Sequence, residues 1–400
     1  MFDLGFAPKY RMLTLLVIAL VVSWVAFVPL INIARRNSLM DRPGQRKLQH
    51  NPVPVLGGAA VFLGIVVGLC YFKTMMSYTS LFAVLGAMIV MLYVGMMDDL
   101  LTIKPWVRLT VETVVALLLI YGTRFTICNF QGIWGIDHLP TWISVPFSAF
   151  AMVGIINAIN MIDGVDGLSS GYCITACALF ATVFFVGHDY SFAALAMVTI
   201  GALIPFFVHN VFGHHSKMFI GDAGTMLMGT ILASMVFSMC RYESYYEEYL
   251  TFNFGMIPFC LAVLTLPVFD TLRVMTGRIV RGISPFKADK THLHHIFIDA
   301  GLSHLAVTLT EIVLALVPVA VWAVVWSRGA TQEVQLYAVI AAGAVSVFLP
   351  ALFLGWHRDH DTRFFRRLHA AASYTRLDSS RVWKSVQSRL DKNENIEDEL

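Results

Sequence analysis

Charge is scarce in this chain. Asp, Glu, Lys and Arg make up 14% of its 400 residues, where a soluble domain carries roughly a quarter. A water-facing surface over a core of this size is therefore excluded, and the 57% hydrophobic share points to a chain that keeps much of its surface in lipid. The few charges nearly cancel, to a formal +2, which excludes a basic nucleic-acid-binding protein. Cysteine is sparse too: Cys70, Cys128, Cys173, Cys177, Cys240 and Cys260 include no CxxC pair, so neither a zinc ribbon nor a secreted disulfide framework is present. Cys173 and Cys177 are four apart inside an apolar run and read as packing residues. A Walker loop is missing as well: Gly221-Asp222-Ala223-Gly224 lacks the Lys-Ser/Thr ending that a nucleoside triphosphatase needs. There is no low-complexity tract and no clear internal repeat, and an inverted-repeat transporter requires the latter.

What the chain has in abundance is apolar runs. About eleven approach the length that crosses a bilayer, over 13–33, 55–74, 80–97, 107–122, 143–160, 168–187, 190–211, 224–240, 252–270, 306–328 and 335–356. Arg35 and Arg36 follow the first run, and no small-residue cleavage site does, so it reads as a retained span. Only helices satisfy their own backbone in lipid without closing a barrel, so the predicted fold is all-α and polytopic. Residues 1–356 form the transmembrane domain in this reading. Residues 357–400 form a tail, expected to be a surface-lying amphipathic helix followed by disorder.

Eleven spans put alternate loops on opposite sides. All Lys and Arg except Lys9, Arg11, Lys73, Arg124, Arg241 and Arg328 then fall on one side, which the positive-inside rule makes cytoplasmic. The amino terminus is expected outside and the tail inside.

The polar residues inside or beside the spans gather on that same cytoplasmic side. Asp98 and Asp99 are adjacent carboxylates at a span end, which repel one another unless a cation or donor is near. Asn157, Asn160, Asp163 and Asp166 recur every three residues along one side of a helix that frays at Gly164 and Gly167. Turn chemistry accounts for the two Asp-Gly pairs, but the asparagines lie in an apolar stretch and call for a ligand or partner. Phe219 precedes the Gly-Asp-Ala-Gly turn, where backbone can approach a phosphate and Asp222 can hold a hard cation. The longest cytoplasmic loop, 271–305, carries Arg273, Arg278, Arg281 and Lys287, then His292, His294 and His295. Without cysteine or a fourth close ligand, histidines among cations suit an anion such as a diphosphate better than zinc. Finally, positive-inside bias explains Arg46 and Lys47 in the 41–54 segment, but not its flanking prolines or the following Gly57-Gly58. Carboxylates for a metal, cations for phosphates and amides at one membrane surface suit transfer between a soluble anionic donor and a lipid-borne anionic acceptor.

In combination and order, the strings DRPGQRKLQHNPVPVLGG, GMMDDL, NAINMIDGVDGL, FIGDAGT and SPFKADKTHLHH resemble the polyprenyl-phosphate N-acetylhexosamine-1-phosphate transferases, over about residues 34–305. The short H-x-H-H form is similar to the N-acetylglucosamine branch rather than the muramyl-pentapeptide one. The resemblance implies an enzyme that moves a sugar-1-phosphate from a UDP-N-acetylhexosamine to undecaprenyl phosphate, releasing UMP, as the first step of a lipid-linked surface polysaccharide. It implies Mg²⁺, replaceable by Mn²⁺, a bacterial inner-membrane location and a homodimer. Residue by residue, it assigns Asp98 and Asp99 to the acceptor phosphate and metal, and Asp163, Asp166 and Asn160 to the nucleotide-sugar site. Asp222 becomes a Mg²⁺ ligand, Phe219 a uracil platform, and His292, His294, His295 and Arg278 groups that steady the diphosphate. Asn157, Arg46 and Lys47 are expected to bind substrate. The alternatives are the muramyl-pentapeptide transferase and a lipid-linked-sugar flippase. Direct displacement and a two-step aspartyl-phosphate route both stay open.

Overall fold

The structure, a computed structural model, describes residues 8–41, 52–71, 78–241, 253–287, 289–373 and 380–392. Among these residues the chain is helical almost throughout. In order the helices are α1 (Pro8–Arg36), α2 (Gly57–Cys70), α3 (Tyr78–Leu101), α4 (Pro105–Thr123), α5 (Thr141–Met161), α6 (Leu168–Val186) and α7 (Tyr190–Phe212). They continue with α8 (Gly221–Arg241), α9 (Met256–Val280), α10 (Leu293–Asp299), α11 (His304–Ser327), α12 (Gln332–Asp359), α13 (Arg363–Ser373) and α14 (Arg381–Lys392). The one β pairing among the described residues joins Met40–Asp41 to Val53–Pro54, antiparallel. The all-α polytopic expectation is borne out: α1, α3–α9, α11 and α12 are each long and apolar enough to cross a membrane.

The starts of these helices follow local chemistry. Pro105 opens α4 at a position where its missing N–H costs nothing. The Asp189 carboxylate accepts from the Phe192 amide at the start of α7, 3.1 Å, and Ser303 accepts from Ala306 at the start of α11, 3.4 Å. Pro29, Pro146, Pro205, Pro267, Pro318 and Pro350 lie inside spans, and the carbonyl freed by Pro267, Val263 O, accepts from the Tyr172 hydroxyl of α6, 2.6 Å.

Three expectations need correction. The second expected span is only the 14-residue α2, about 21 Å at 1.5 Å per residue, short of the roughly 30 Å hydrocarbon core. It begins inside the protein rather than at its rim, because Gly57 is buried against Phe219 and against Phe206 of α7, and Gly58 against Gly224 of α8. The ninth expected span ends at 270, but α9 runs on to Val280, so Arg273 and Arg278 sit on a helix rather than in a loop. Partner carboxylates stabilise those charges where the helix leaves the apolar layer. The tail carries two helices, α13 and α14, rather than one.

α8 is the central helix, packed by α2, α3, α5, α6 and α9. Its apolar stretch is wholly buried. Small residues make that closeness possible: a Cβ at Gly229 would stand 2.7 Å from the Ile156 backbone of α5. Around this axis the chain returns repeatedly to one face. The ends of α1, α3, α5 and α7 and the starts of α2, α6, α8 and α11 surround a single cleft there.

Candidate active site

The cleft is open on one side, has a volume of 1030 Å³, and is lined by Asp98, Asp99, Asp163, Asp166 and Asp222 together with Arg35, Lys217, Phe219, His295 and His304. Four separately noticed sequence segments thus converge on one space.

Its floor is the amino-terminal end of α8. The Asp99 carboxylate, at the end of α3, accepts from the amides of Asp222, 2.8 Å, and Ala223, 3.1 Å. An acid on one helix thereby caps another and meets the positive end of its dipole. The cap requires Gly221: its φ is +69°, and a Cβ there would collide with Asp99 Oδ2. The 52–58 segment is laced to the same turn. Phe219 N donates to Pro54 O, 2.8 Å, Gly57 N to Phe219 O, 3.0 Å, and Gly58 N to Ile220 O, 3.1 Å. A Cβ on Gly58 would come within 2.6 Å of Gly224 N. This close approach accounts for the glycine pair that positive-inside bias leaves unexplained.

Beside this floor lies a buried polar knot. Arg108 on α4 reaches Asp98 at 3.4 Å, Glu112 at 3.4 Å and Asp222 at 3.8 Å, and donates to Asn157 Oδ1 at 3.1 Å. Asn157 in turn donates to Glu112. Asn160 donates to Asp222 Oδ1, 2.5 Å, and to Thr225 Oγ1, 2.7 Å. The two asparagines therefore serve as partners of carboxylates from α4 and α8. Asp98 also accepts from the Ile103 amide, 2.7 Å, which turns the chain from α3 into α4.

The α5–α6 turn and the loop before α8 supply a further part of the lining. The Asp163 carboxylate accepts from Ser169 Oγ, 2.5 Å. It opens onto the cleft, but its depth in the protein, then Asp222 and Asp166, push its carboxyl up to about 7. Asp166 pairs with Lys217 Nζ and His304 Nδ1, both at 2.6 Å. Burial works to raise it, but the His304 hydrogen bond and the Lys217 charge hold it below the ordinary carboxylate range. Lys217 Nζ stands 5.6 Å from the centre of the Phe219 ring. Asn210 ties the two wall segments together, accepting from Gly167 N, 2.6 Å, and donating to Met218 O, 3.0 Å.

The histidine motif divides. His295 lines the cleft. His294 is buried behind it against Gly164, where a glycine Cβ would strike its ring. His292 is buried and bonded through Nδ1 to Asp270, 2.8 Å, which Arg273 also holds, 2.6 Å. Burial, followed by the neighbouring histidines, drops His295 to about 4 and His294 well below its usual value. The surroundings of both rings thus disfavour the cationic form.

Arg278 also departs from expectation. It is 2% exposed, grips Asp289 through Nε, 3.1 Å, and Nη2, 2.9 Å, and donates from Nη1 to Pro285 O, 2.7 Å. Its fork is directed at its own loop, which doubles back over the end of α9, and it does not line the cleft. Asp289 is held well below the carboxylate range by this guanidinium, against its own desolvation. Arg46 and Lys47 lie outside the described residues.

No group of three His, Cys, Asp or Glu forms a ready cage for a metal among the described residues. The donor set still fits one kind of ion. The cleft offers hard carboxylate oxygens from five aspartates against Arg35 and Lys217 as its lining cations. Mg²⁺ characteristically takes one or two carboxylates and completes its shell with water and substrate phosphate. Asp222, with 35% of its side chain exposed, presents to the cleft. Both Asp99 oxygens already accept α8 amides, so its expected role as a ligand is secondary to its role as a helix cap.

Arg108, Glu112, Lys217, His304, Asn210 and Arg35 belong to this constellation without having been singled out as site residues from sequence. For Arg108 and Glu112 the signal was present, since charges at membrane depth are functional by default. Their i, i+4 spacing, which also makes a simple surface pair, dilutes it. Lys217 and His304 carried no signal short of the fold.

Residues 81–240, from α3 through α8, match the family model described as glycosyl transferase family 4. The chain is similar to the undecaprenyl-phosphate alpha-N-acetylglucosaminyl 1-phosphate transferase of Escherichia coli K12, 27% identical over 280 residues, covering 68% of this chain and 72% of that protein. It is 27% identical over 300 residues to the protein of the same name from Haemophilus influenzae Rd, covering 73% and 77%. With the probable undecaprenyl-phosphate N-acetylglucosaminyl 1-phosphate transferase of Bacillus subtilis 168, identity is 26% over 298 residues, covering 72% and 79%.

Proposed function

We propose that the chain, which matches the glycosyl transferase family 4 model over residues 81–240 and resembles undecaprenyl-phosphate N-acetylglucosaminyl 1-phosphate transferases, is a multi-pass phosphoglycosyl transferase that moves N-acetylglucosamine-1-phosphate from UDP-N-acetylglucosamine to undecaprenyl phosphate and releases UMP. The observation that carries this reading is the convergence of five aspartates on one cleft at a membrane-facing set of helix ends. In this reading that face is the cytoplasmic side of the bacterial inner membrane, as the distribution of Lys and Arg favours. The product begins a lipid-linked polysaccharide.

The acceptor is a phosphate monoester with a second pKa near about 6, so at pH 7 it is largely a dianion and a good nucleophile without help. Its oxygen attacks the sugar-bearing phosphorus of the donor. The bond from that phosphorus to the bridging oxygen breaks, and the pair leaves with UMP. No proton has to move, so the site's task is positioning and charge neutralisation. Asp98 and Asp99 are both engaged by donors, which favours orientation over general-base work for them. Mg²⁺, or Mn²⁺ in its place, held by Asp222 with Asp99 beside it, would supply countercharge to the diphosphate. Lys217 and Arg35 add positive charge from the lining of the cleft, and Phe219 offers a ring face to uracil.

The test uses purified protein in detergent with undecaprenyl phosphate, Mg²⁺ and radiolabelled UDP-N-acetylglucosamine. Label should enter the lipid phase, return on adding UMP, and fail to move in Asp222→Asn. Label from a different UDP-sugar only would overturn the choice of donor. No transfer from any UDP-sugar by folded protein would overturn the reaction.

A further inference from the structure

The tail takes no part in the cleft's lining, yet it is joined to it. Oδ1 of Asp391, in the last turn of α14, accepts from three consecutive backbone amides: His214 at 3.3 Å, His215 at 3.1 Å and Ser216 at 3.0 Å. Successive amides converging on one point form a concavity shaped for an anion. Here the chain's own carboxylate occupies it. A carboxylate at the end of a helix is disfavoured by the helix dipole, so α14 does not hold Asp391 there for its own sake. The loop compensates for that position.

The docking has a second part. Trp383, Val386, Gln387, Leu390 and Asp391 fall at three- and four-residue steps on the less exposed side of α14. Leu390 is buried, and the Trp383 ring packs on Phe212 at the end of α7, 4.6 Å between centroids. The segment thus gripped is the one that lines the cleft through Gly213, His214, His215 and Lys217. Arg35 of α1 holds the same loop through the His215 carbonyl. Lys217, next in the chain, is the partner of Asp166.

We propose that Asp391 is a positioning residue for the donor end of the cleft: by gathering the amides of residues 214–216, α14 holds the loop that presents Lys217 to Asp166 and Phe219 to the nucleotide. The assignment of that end to the donor rests on the function proposed above; the positioning itself does not. Without Asp391 the loop keeps its Arg35 tether but loses three charge-assisted bonds. Donor binding should suffer while acceptor binding, away from this loop, should not.

The experiment compares full-length wild type with Asp391→Ala, Asp391→Glu and Trp383→Ala, the last releasing α14 without touching the carboxylate. Hydrogen–deuterium exchange at residues 213–217 is read first, since it needs no activity. Exchange there should speed up in Asp391→Ala and Trp383→Ala and return toward wild type in Asp391→Glu. In the transfer assay the donor KM should rise about tenfold, the factor of one charge-assisted hydrogen bond, with kcat and acceptor KM unchanged. Unaltered exchange in Asp391→Ala overturns the inference whatever the activity. So does a loss spread evenly over kcat and both KM values. If wild type transfers nothing, the functional reading falls, and the exchange data alone still decide whether the tail positions the loop.

Discussion

Replacing Arg108 with methionine separates what this residue does for the fold from what it does for the site. Its most deeply buried partner, Glu112, is 1% exposed, against 19% for Arg108 itself, and the two stand 3.4 Å apart. At an effective dielectric near 20, the attraction across that distance is about 5 kcal/mol. Desolvation offsets much of it, so the intact pair is weak evidence of net stabilisation. Breaking it from one side is different, because the remaining buried charge is left uncompensated, at about 3–5 kcal/mol. Asn157 still donates to Glu112, so the low end, about 3 kcal/mol, is expected for Arg108→Met. Adding Glu112→Gln removes the orphaned charge and should restore about 2 kcal/mol. Thermal unfolding of the purified single and double variants in one detergent measures this cycle. Transfer should follow a different course. Arg108 also reaches Asp98 and Asp222, so both variants should lose about a hundredfold or more in kcat. The stability gained in the double variant should not bring activity back. Activity that recovers together with the melting temperature would refute the reasoning, and Arg108 would then be a structural ion-pair partner only.

Two smaller perturbations probe other parts of the site. Gly221→Ala and Gly135→Ala both put a side chain at positive φ, +69° and +67°, but only the first would meet an atom, Asp99 Oδ2, where the second faces open space. Gly135→Ala should cost about 1–2 kcal/mol from backbone alone. Gly221→Ala should cost more and also abolish transfer, and equal melting shifts for the two would contradict the cap. For His295, a folded pKa near 4 against 6.5 in the unfolded chain means its contribution to stability is complete above pH 6.5 and is lost as pH falls toward 4. The loss is at most about 1.4 kcal/mol per pH unit. Melting temperature should therefore fall less between pH 7 and pH 5 in His295→Gln than in wild type, and parallel curves would exclude the burial argument.

How much of this was legible beforehand depends on the physics behind each feature. The spans were, because backbone hydrogen bonding in lipid permits one solution and hydropathy reports it directly. Their ends were read less well where polar residues continue a helix past the apolar layer, as α9 does with Asp270 binding Arg273. The aspartates of the cleft were visible as polar residues in the wrong surroundings. Their partners were not, since Lys217 meets Asp166 across 51 residues and Arg108 meets Asn157 across 49, and no local pattern encodes such pairings. Arg278 misled for a related reason. A basic residue near a histidine motif looks like an anion-binding group, and only the fold reveals that Asp289 holds it.

The five aspartates differ in what holds them, and that difference sorts their work. Asp99 is committed to the α8 amides. Asp98 is turned toward Arg108 and the Ile103 amide, and Asp166 is paired with Lys217 and His304. Asp222 and Asp163 remain most open to the cleft. A divalent cation needs carboxylates that face its water and phosphate ligands, so on the proposed function Asp222 would hold it and the committed three would frame it. The cations divide likewise, Arg108 on the α3–α4 side and Lys217 with Arg35 on the loop side. On the proposed reaction, the two cations that line the cleft can meet the donor's diphosphate, while Arg108, held among Asp98, Glu112 and Asp222 and outside the lining, positions carboxylates rather than a substrate.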